Sequence, residues 1–593
     1  MFTLPKKVYV PALAALLALG STACQKDPET EPRYFIRDNL QWDEQDRNAT
    51  VALFYFNDLF NYLPSGFNRL GDGTGDFLAA GTDDAIPSRV NRPAQYFTNG
   101  FISVVNSPDQ YWTTAYAGIR RVNIFLANID RVPALPANIV IWKAEARFIR
   151  AMVTWELVKR YGGVPLVRDR LFTLEDDLAL PRNSYADCVS YIVSECDAIR
   201  NDLRLPGSIP DGEWGRIPRT AALALKSRVL LYAASPLYNG GQVNGATQLQ
   251  GYPSYDAGRW TLALNAAQDL MTAPNNVHSL ITTPAATAFA SVFTTKKNAE
   301  IILAKQSANS FNLETWNAPM GYGTPAASQG LTSPSQNFVD AFPTLTGLPI
   351  TASGSGYDPQ NPYANRDPRL LLSVFTNGVT TGTGTTAVTT GSRWLSRNVE
   401  TFDGGRDRPG GSAVQTRTGY YLRKFMGDFT NSTTYTNQSH NFPLFRYAEI
   451  LLNYAEALNE VGRTEDAVTQ VIALRRRAGL TAGTNNRFGI ASSISQADAR
   501  TLIRNERRIE LGFEEHRFWD VRRWKTAETV LSGPLYGVQI TRAGAGTTAS
   551  PYTYAYNPRA TAATMLWQTR LYYLPLPYDE TTKNLNLVQN PGW

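Results

Sequence analysis

One stretch limits the folds open to this chain more than any other. Arg446-Tyr-Ala-Glu-Ile-Leu-Leu-Asn-Tyr-Ala-Glu-Ala-Leu-Asn-Glu-Val-Gly-Arg-Thr-Glu-Asp-Ala-Val-Thr-Gln-Val-Ile472 reads as a helix, a glycine turn and a second helix. The small side chains of Ala455 and Ala467 let the two helices approach closely. The layout recurs with longer connections: Ala222 to Tyr232 pairs with Trp260 to Leu270, and Trp142 to Arg160 with Tyr185 to Leu203. Each pair carries an apolar face that it cannot cover alone, so the pairs must stack. The expected fold is mostly α, a helical-repeat scaffold of solenoid type.

The unit resembles a tetratricopeptide repeat, whose period is about 34 residues. Helical periodicity is confined to two blocks. The first holds 111–129, 141–161, 185–203, 220–234 and 257–271, and Gly162-Gly163 stops the second of these helices. The other holds 447–460, 465–478 and 496–513. Between them, 273–440 is rich in Gly, Thr, Ser, Pro and Asn, with a near low-complexity Thr/Gly tract at 376–392, and reads as a loop-rich insertion. The tail from Ser532 reads as irregular and proline-rich. The expected organisation is a single body over 41–593, divided into 41–272, the insertion 273–440 and 441–593.

The first two dozen residues say where such a body works. Lys6 and Lys7 lead an apolar run, Val8 to Leu19, then Ser21-Thr-Ala23 and Cys24. The run is short of the roughly 20 residues that span a bilayer, so it reads as a signal peptide, 1–23. A cysteine directly after the cleavage point is a lipidation site, and about two acyl chains suffice for stable anchoring. Residues 24–40 then form a polar tether. Cys188 and Cys196 are the only other cysteines. Eight residues along a helix is about 12 Å of rise, beyond disulfide reach, so both are expected as free thiols. A net charge of +6 on 593 residues makes no case for nucleic acid.

Six segments, in order along the mature chain, carry a family resemblance: Glu145 to Leu166; Ala222 to Asn239; Ser333-Pro-Ser-Gln-Asn-Phe-Val-Asp340 followed by Asn365-Arg-Asp-Pro-Arg-Leu370; Leu444 to Asn459; Glu506-Arg-Arg-Ile-Glu-Leu-Gly-Phe-Glu-Glu-His-Arg-Phe-Trp-Asp520; and Gln589-Asn-Pro-Gly-Trp593. Together they resemble the SusD/RagB family of nutrient-binding outer-membrane lipoproteins. The resemblance implies a surface lipoprotein of the outer membrane that binds oligosaccharide, or in some members peptide. It also implies a partner, a SusC-like TonB-dependent barrel transporter that the lipoprotein covers like a lid. The shared segments are read as structural: an ion-pair network around Phe513, Phe518 and Trp519, a charge-bonded turn at Arg366-Asp-Pro-Arg369, and a packed His516.

No His-Glu-x-x-His, Cys-x-x-Cys, phosphate loop or Gly-x-Ser-x-Gly elbow is present, and His278, His440 and His516 are far apart. No catalytic residue, cofactor or metal is therefore assigned. Asp72, Asp76, Asp83 and Asp84 are the carboxylates a surface glycosidase would draw on, but their glycine-rich setting reads as a solvated turn. A calcium site there would need the same clustered oxygens.

A sugar offers C–H faces and hydroxyl edges, so its binder needs exposed rings with amides at the rim, carried on loops over a rigid scaffold. Two segments qualify. Asn91 to Phe101 follows Thr82-Asp-Asp-Ala85, which is similar to the family's Ser-Asp-Glu-Ala segment; the other is Phe311 to Tyr322. The candidate ligand contacts are Tyr96, Trp316 and Tyr322 as platforms, with Asn99 and Asn317 as polar partners and Trp394 as a further ring. A peptide-binding uptake protein, a surface glycoside hydrolase and a purely adhesive lipoprotein are the rival readings.

Overall fold

The computed structural model describes residues 38–67, 69–70, 76–241, 243–320, 328–381, 388–410, 415–547 and 552–593. Cys24, Tyr322 and Asp72 lie outside these residues.

The first helical block contains α1 (Thr50–Asp58), α2 (Trp112–Asn128), α3 (Pro136–Tyr161), α4 (Tyr185–Ile199), α5 (Arg219–Ala234) and α6 (Gly258–Met271). α3 starts earlier than its periodicity suggested because Pro136 sits in its first turn, where a missing N–H costs nothing. Gly162 ends it with φ 78° and ψ −141°, a conformation reserved for glycine. Ser184 caps α4 by accepting from the Asp187 N–H at 3.0 Å, while Asp187 reaches back to Ser184. Cys188 and Cys196 lie on this helix as free, buried thiols.

A one-turn helix, α7 (Asn312–Asn317), sits in the insertion. The second block is α8 (Tyr447–Glu460), α9 (Thr464–Ala478), α10 (Gln496–Glu510) and α11 (His516–Arg523). Each helix packs on the next, α2 on α3, α3 on α4, α4 on α5 and α5 on α6; α6 then packs on α8, and α8 on both α9 and α10. The three helix pairs read from the sequence are therefore the pairs that form. Ala455 and Ala467 are both fully buried where α8 meets α9, and Gly462 turns the chain between them at φ +85°.

The core is continuous across both blocks, from Trp42 through Trp155 and Phe425 to Tyr572 and Leu576. The insertion is tied in by short antiparallel pairings. β1 (Ala85–Pro87) pairs with β3 (Thr332–Pro334), with Ile86 opposite Ser333, and β2 (Ile301–Lys305) pairs with β4 (Phe442–Arg446). A buried ion network locks the same joint. Arg446 reaches Glu300 at 2.7 Å, Glu510 at 2.8 Å and Glu514 at 2.7 Å; Arg369 reaches Asp367, Glu506 and Glu510 at 2.7–2.8 Å. Lys424 joins Glu514 at 2.7 Å, yet burial pulls its pKa down to about 8. Such a network contributes little net stability, but removing one member strands a buried charge.

The tail departs from expectation. It forms a long antiparallel ribbon, β5 (Gly533–Ala543) with β6 (Thr553–Met565), in place of irregular chain. Leu535 is buried and, beyond shifts in the pairing register, so are Val538 and Ile540, while Tyr554 and Tyr556 alternate on the partner strand. The Thr/Ala-rich stretch of β6 concealed that period. Among the described residues, no helix is long and apolar enough to cross a membrane.

Candidate functional site

The site is built where the insertion meets the loop after α1. Two arginines of the second block fix that loop. Arg508 on α10 donates to Asp84 Oδ1 at 2.7 Å and to Asp83 Oδ2 at 2.8 Å; Arg517 on α11 donates to Asp83 Oδ1 and Oδ2 at 2.9 and 2.7 Å. Burial alone would raise the Asp83 carboxyl, but the two guanidinium groups outweigh it and hold it below the usual range. Asp84 goes the other way, raised by burial and by its charged neighbour despite Arg508. These are not the solvated turn carboxylates expected from the sequence. They are buried anchors already engaged, as is Asp76, which pairs with Arg92 at 3.3 Å and is pushed by burial up to about 6.

From this anchor the two candidate segments diverge. The Ser335 N–H donates to the Asp84 carbonyl at 2.8 Å, so β1 and β3 leave the anchor together. Beyond them Ser88 N–H donates to the Leu331 carbonyl at 2.8 Å, and Leu331 N–H donates to the Trp316 carbonyl at 3.0 Å. Arg89 Nη2 donates to Gln329 Oε1 at 2.6 Å. The 91–101 segment and α7 are thus linked through 329–334.

On the first segment, Tyr96 and Asn99 bracket a single helical turn. Phe97 between them is fully buried, its ring edge-on to Phe518 at 4.8 Å, which holds the turn down. Tyr96 is half-buried against the core, Asn99 is half-exposed and accepts from the Phe101 N–H at 3.1 Å, and Phe101 stands 70% exposed.

The second segment carries two rings of its own among the described residues. Phe311 precedes α7 and is 40% exposed; Trp316 on α7 is half-buried. Phe311 stacks on Tyr435, centroids 6.2 Å apart and planes 27° apart. Tyr435 packs edge-on to Phe429 at 5.3 Å, and its hydroxyl accepts from Trp394 Nε1 at 3.2 Å and lies 3.2 Å from Ser328 Oγ. Trp394 is fully buried behind it, edge-on to Phe375 at 4.9 Å. It braces the shelf and offers no stacking face, contrary to its reading as a further ring. Asn317 is likewise fully buried, with Nδ2 to the Leu313 carbonyl at 3.4 Å and Oδ1 without a partner among the described residues, so it sits beneath the shelf rather than at its rim. Period-3.6 spacing on one short turn sends Trp316 outward and Asn317 inward.

Two features escaped the sequence reading. Tyr435 lies in Ser432-Thr-Thr-Tyr-Thr-Asn437, and a lone aromatic in a polar loop was its only signal. Glu314 Oε1 lies 2.9 Å from His440 Nε2 and accepts from the Gly427 N–H at 2.9 Å, so a buried carboxylate ties α7 to the chain before β4. The remaining histidines are packed: His278 lies 2.9 Å from Thr220 Oγ1, and His516 Nδ1 accepts from Arg507 Nη2 at 3.1 Å. The half-buried and exposed rings Phe311, Trp316 and Tyr435, with the half-exposed Asn99 amide on the linked segment, are the kinds of group that hold a polar, C–H-rich ligand by stacking and hydrogen bonding.

Comparison with known proteins places the fold. A model described as the SusD family matches residues 299–593, and one described as "Starch-binding associating with outer membrane" matches 82–231. SusD-like protein P38 of Formosa agariphila is 22% identical over 539 residues, 88% of this chain and 92% of that protein. SusD-like protein P2 of the same organism is 36% identical over 157 residues, and this match spans about a quarter (26%) of either chain. Among solved structures, a SusD-like protein from Bacteroides fragilis is 26% identical with a TM-score of 0.74, covering 94% of this chain and 99% of that one. A laminarin-binding SusD-like protein shares the fold at TM-score 0.61 and 21% identity, covering 92% and 99%. Matched in its first helical block, through most of its insertion and to its last residue, the chain belongs to the SusD/RagB family.

Proposed function

We propose that this protein captures oligosaccharides without transforming them and hands them to a TonB-dependent barrel transporter in the outer membrane. The observation that carries the reading is the Phe311–Tyr435 stack on the insertion, braced by Trp394, with the half-buried Trp316 on the same short helix. Tyr96 and Asn99 on the linked 91–101 segment, Tyr322 beyond α7 in sequence and Asn317 on α7 are the further candidate contacts. Stacking and hydrogen bonds suffice for such a task, and modest affinity suits a protein that must release its cargo. The carboxylates nearest the site argue for binding over hydrolysis: Asp76, Asp83, Asp84 and Glu314 are buried and engaged by Arg92, Arg508, Arg517 and His440. A relative of the same fold that binds laminarin supports a glycan as the ligand.

A lipid on Cys24 would tether the body to the outer membrane. Calorimetry of the protein lacking residues 1–24 against a panel of glycans and peptides tests the ligand class. Heat with a glycan, lost in Trp316→Ala, is expected; heat with peptides alone would replace this reading with peptide uptake.

A further inference from the structure

A cleft lies far from the shelf in sequence and on different elements, between the start of α6 and the exposed face of α10. It encloses about 420 Å³, with Tyr255 and Trp260 on one side and Arg500, Arg504 and Glu460 on the other. This is room for a ligand of one or two ring units. Trp260 is buried as a floor, while the Tyr255 ring stands 66% exposed at the mouth.

The charges in the cleft do not balance. Arg500 and Arg504 are one turn apart on α10 and share a face. Arg500 is matched: it donates from Nε and Nη2 to the two Glu460 oxygens at 2.5 and 2.8 Å. Arg504 is not. Among the described residues no carboxylate stands within ion-pair distance of it, it donates no hydrogen bond, and its buried Nε has no acceptor. Glu456, whose charge acts on it most strongly, is already saturated by two bonds of 2.7 Å from Arg523 and one of 2.7 Å from Trp524 Nε1.

The unmatched guanidinium is nevertheless held in place. It lies over the Trp524 ring at 4.9 Å, and Arg523 lies over the same ring at 4.7 Å. A fixed, partly desolvated guanidinium with free donors is built for a planar or tetrahedral oxyanion, which it can grip with two parallel bonds. Burying such a donor unpaired costs free energy unless something supplies the acceptor.

We propose that this cleft binds one oxyanion, a carboxylate or a sulfate ester, carried on a pyranose-sized ring: Arg504 takes the anion and Tyr255 the ring face. This site is independent of the aromatic shelf, and neither depends on the other's ligand.

Titration calorimetry of the protein lacking residues 1–24 with sodium glucuronate, glucose and inorganic sulfate tests it. Glucuronate is expected to bind at least tenfold more tightly than glucose, and more tightly than sulfate. Arg504→Met, which keeps the stem over Trp524, should weaken glucuronate at least tenfold, with Arg504→Lys intermediate. Tyr255→Ala changes an exposed side chain; it should weaken glucuronate severalfold and leave sulfate unchanged, which keeps the test open if Arg504→Met fails to fold. Undiminished glucuronate binding in Arg504→Met, or no binding of any anion to the parent protein, overturns the anion site. Sulfate binding as tight as glucuronate overturns the ring-bearing ligand.

Discussion

Asp83→Ala removes the acceptor at the centre of the clamp that positions the candidate site. In the folded protein the Asp83 carboxylate accepts three charge-assisted bonds, one from Arg508 and two from Arg517, all between 2.7 and 2.9 Å. Asp83 is 4% exposed and the side chains of Arg508 and Arg517 only 13% and 11%. Truncation leaves Arg517 with Asp84 alone, at 3.9 Å, and Arg508 with one bond fewer. A surface pair lost in this way costs about 0–1 kcal/mol, whereas a buried pair broken on one side costs about 3–5 kcal/mol. The exposures place this pair in the second class. Asp83→Ala should therefore destabilise by about 3 kcal/mol or more in urea unfolding followed by tryptophan fluorescence, read as a lower midpoint with unchanged slope. Asp83→Ala combined with Arg517→Met removes the stranded charge and should recover part of the loss, a coupling visible in a double-mutant cycle. Because the clamp also aligns β1 with β3, glycan affinity should fall in Asp83→Ala although no ligand contact is touched. A cost below about 1 kcal/mol, with additive single changes, would refute the reasoning.

Other consequences can be checked separately. Burial pushes the Cys188 thiol up to about 12 and raises Cys196 as well, so neither should react with a thiol reagent in the native protein; rapid labelling before unfolding would contradict their placement. Burial pulls His278 down to about 4, so the folded state resists its protonation while the unfolded chain takes the proton near pH 6.5. Stability is then full above about pH 6.5 and falls between about 6.5 and 4, by up to about 3 kcal/mol. His278→Gln should flatten that fall; an unchanged acid profile would count against it. Gly162→Ala should cost about 1–3 kcal/mol, because a side chain there is strained by its backbone angles and its Cβ would sit 2.4 Å from the Leu249 carbonyl oxygen. A neutral effect would mean that α3 ends differently.

Much of the scaffold was legible because its signals are local. Helical period, and Gly162 and Gly462 at helix ends, are read within one turn of chain, and they gave each long helix to within a few residues. The Glu506 to Trp524 segment was also legible as an ion-pair network, since Arg507 reaches Asp520 at 2.8 Å and Asp520 reaches Arg523 at 2.7 Å within one stretch. What stayed hidden depends on distant partners. Trp394 is buried by Tyr435, 41 residues on, and Asp83 by Arg517, 434 residues on. Asn317 looked like a rim amide because one turn of helix does not announce which side faces inward. The tail's ribbon was missed because a break in register between Leu535 and Val538, and the many Thr, Ala and Gly residues on its strands, blur the two-residue alternation.

The most direct test of glycan capture on the insertion is calorimetric titration of the protein lacking residues 1–24, beside Trp316→Ala and Tyr435→Ala, with a panel of soluble oligosaccharides, the recovered sugars being checked for cleavage. Binding of at least one glycan, weakened at least tenfold in both variants and with every sugar recovered intact, is the expected result. Released products, or glycan binding that both variants retain in full, would contradict a non-catalytic site on this shelf.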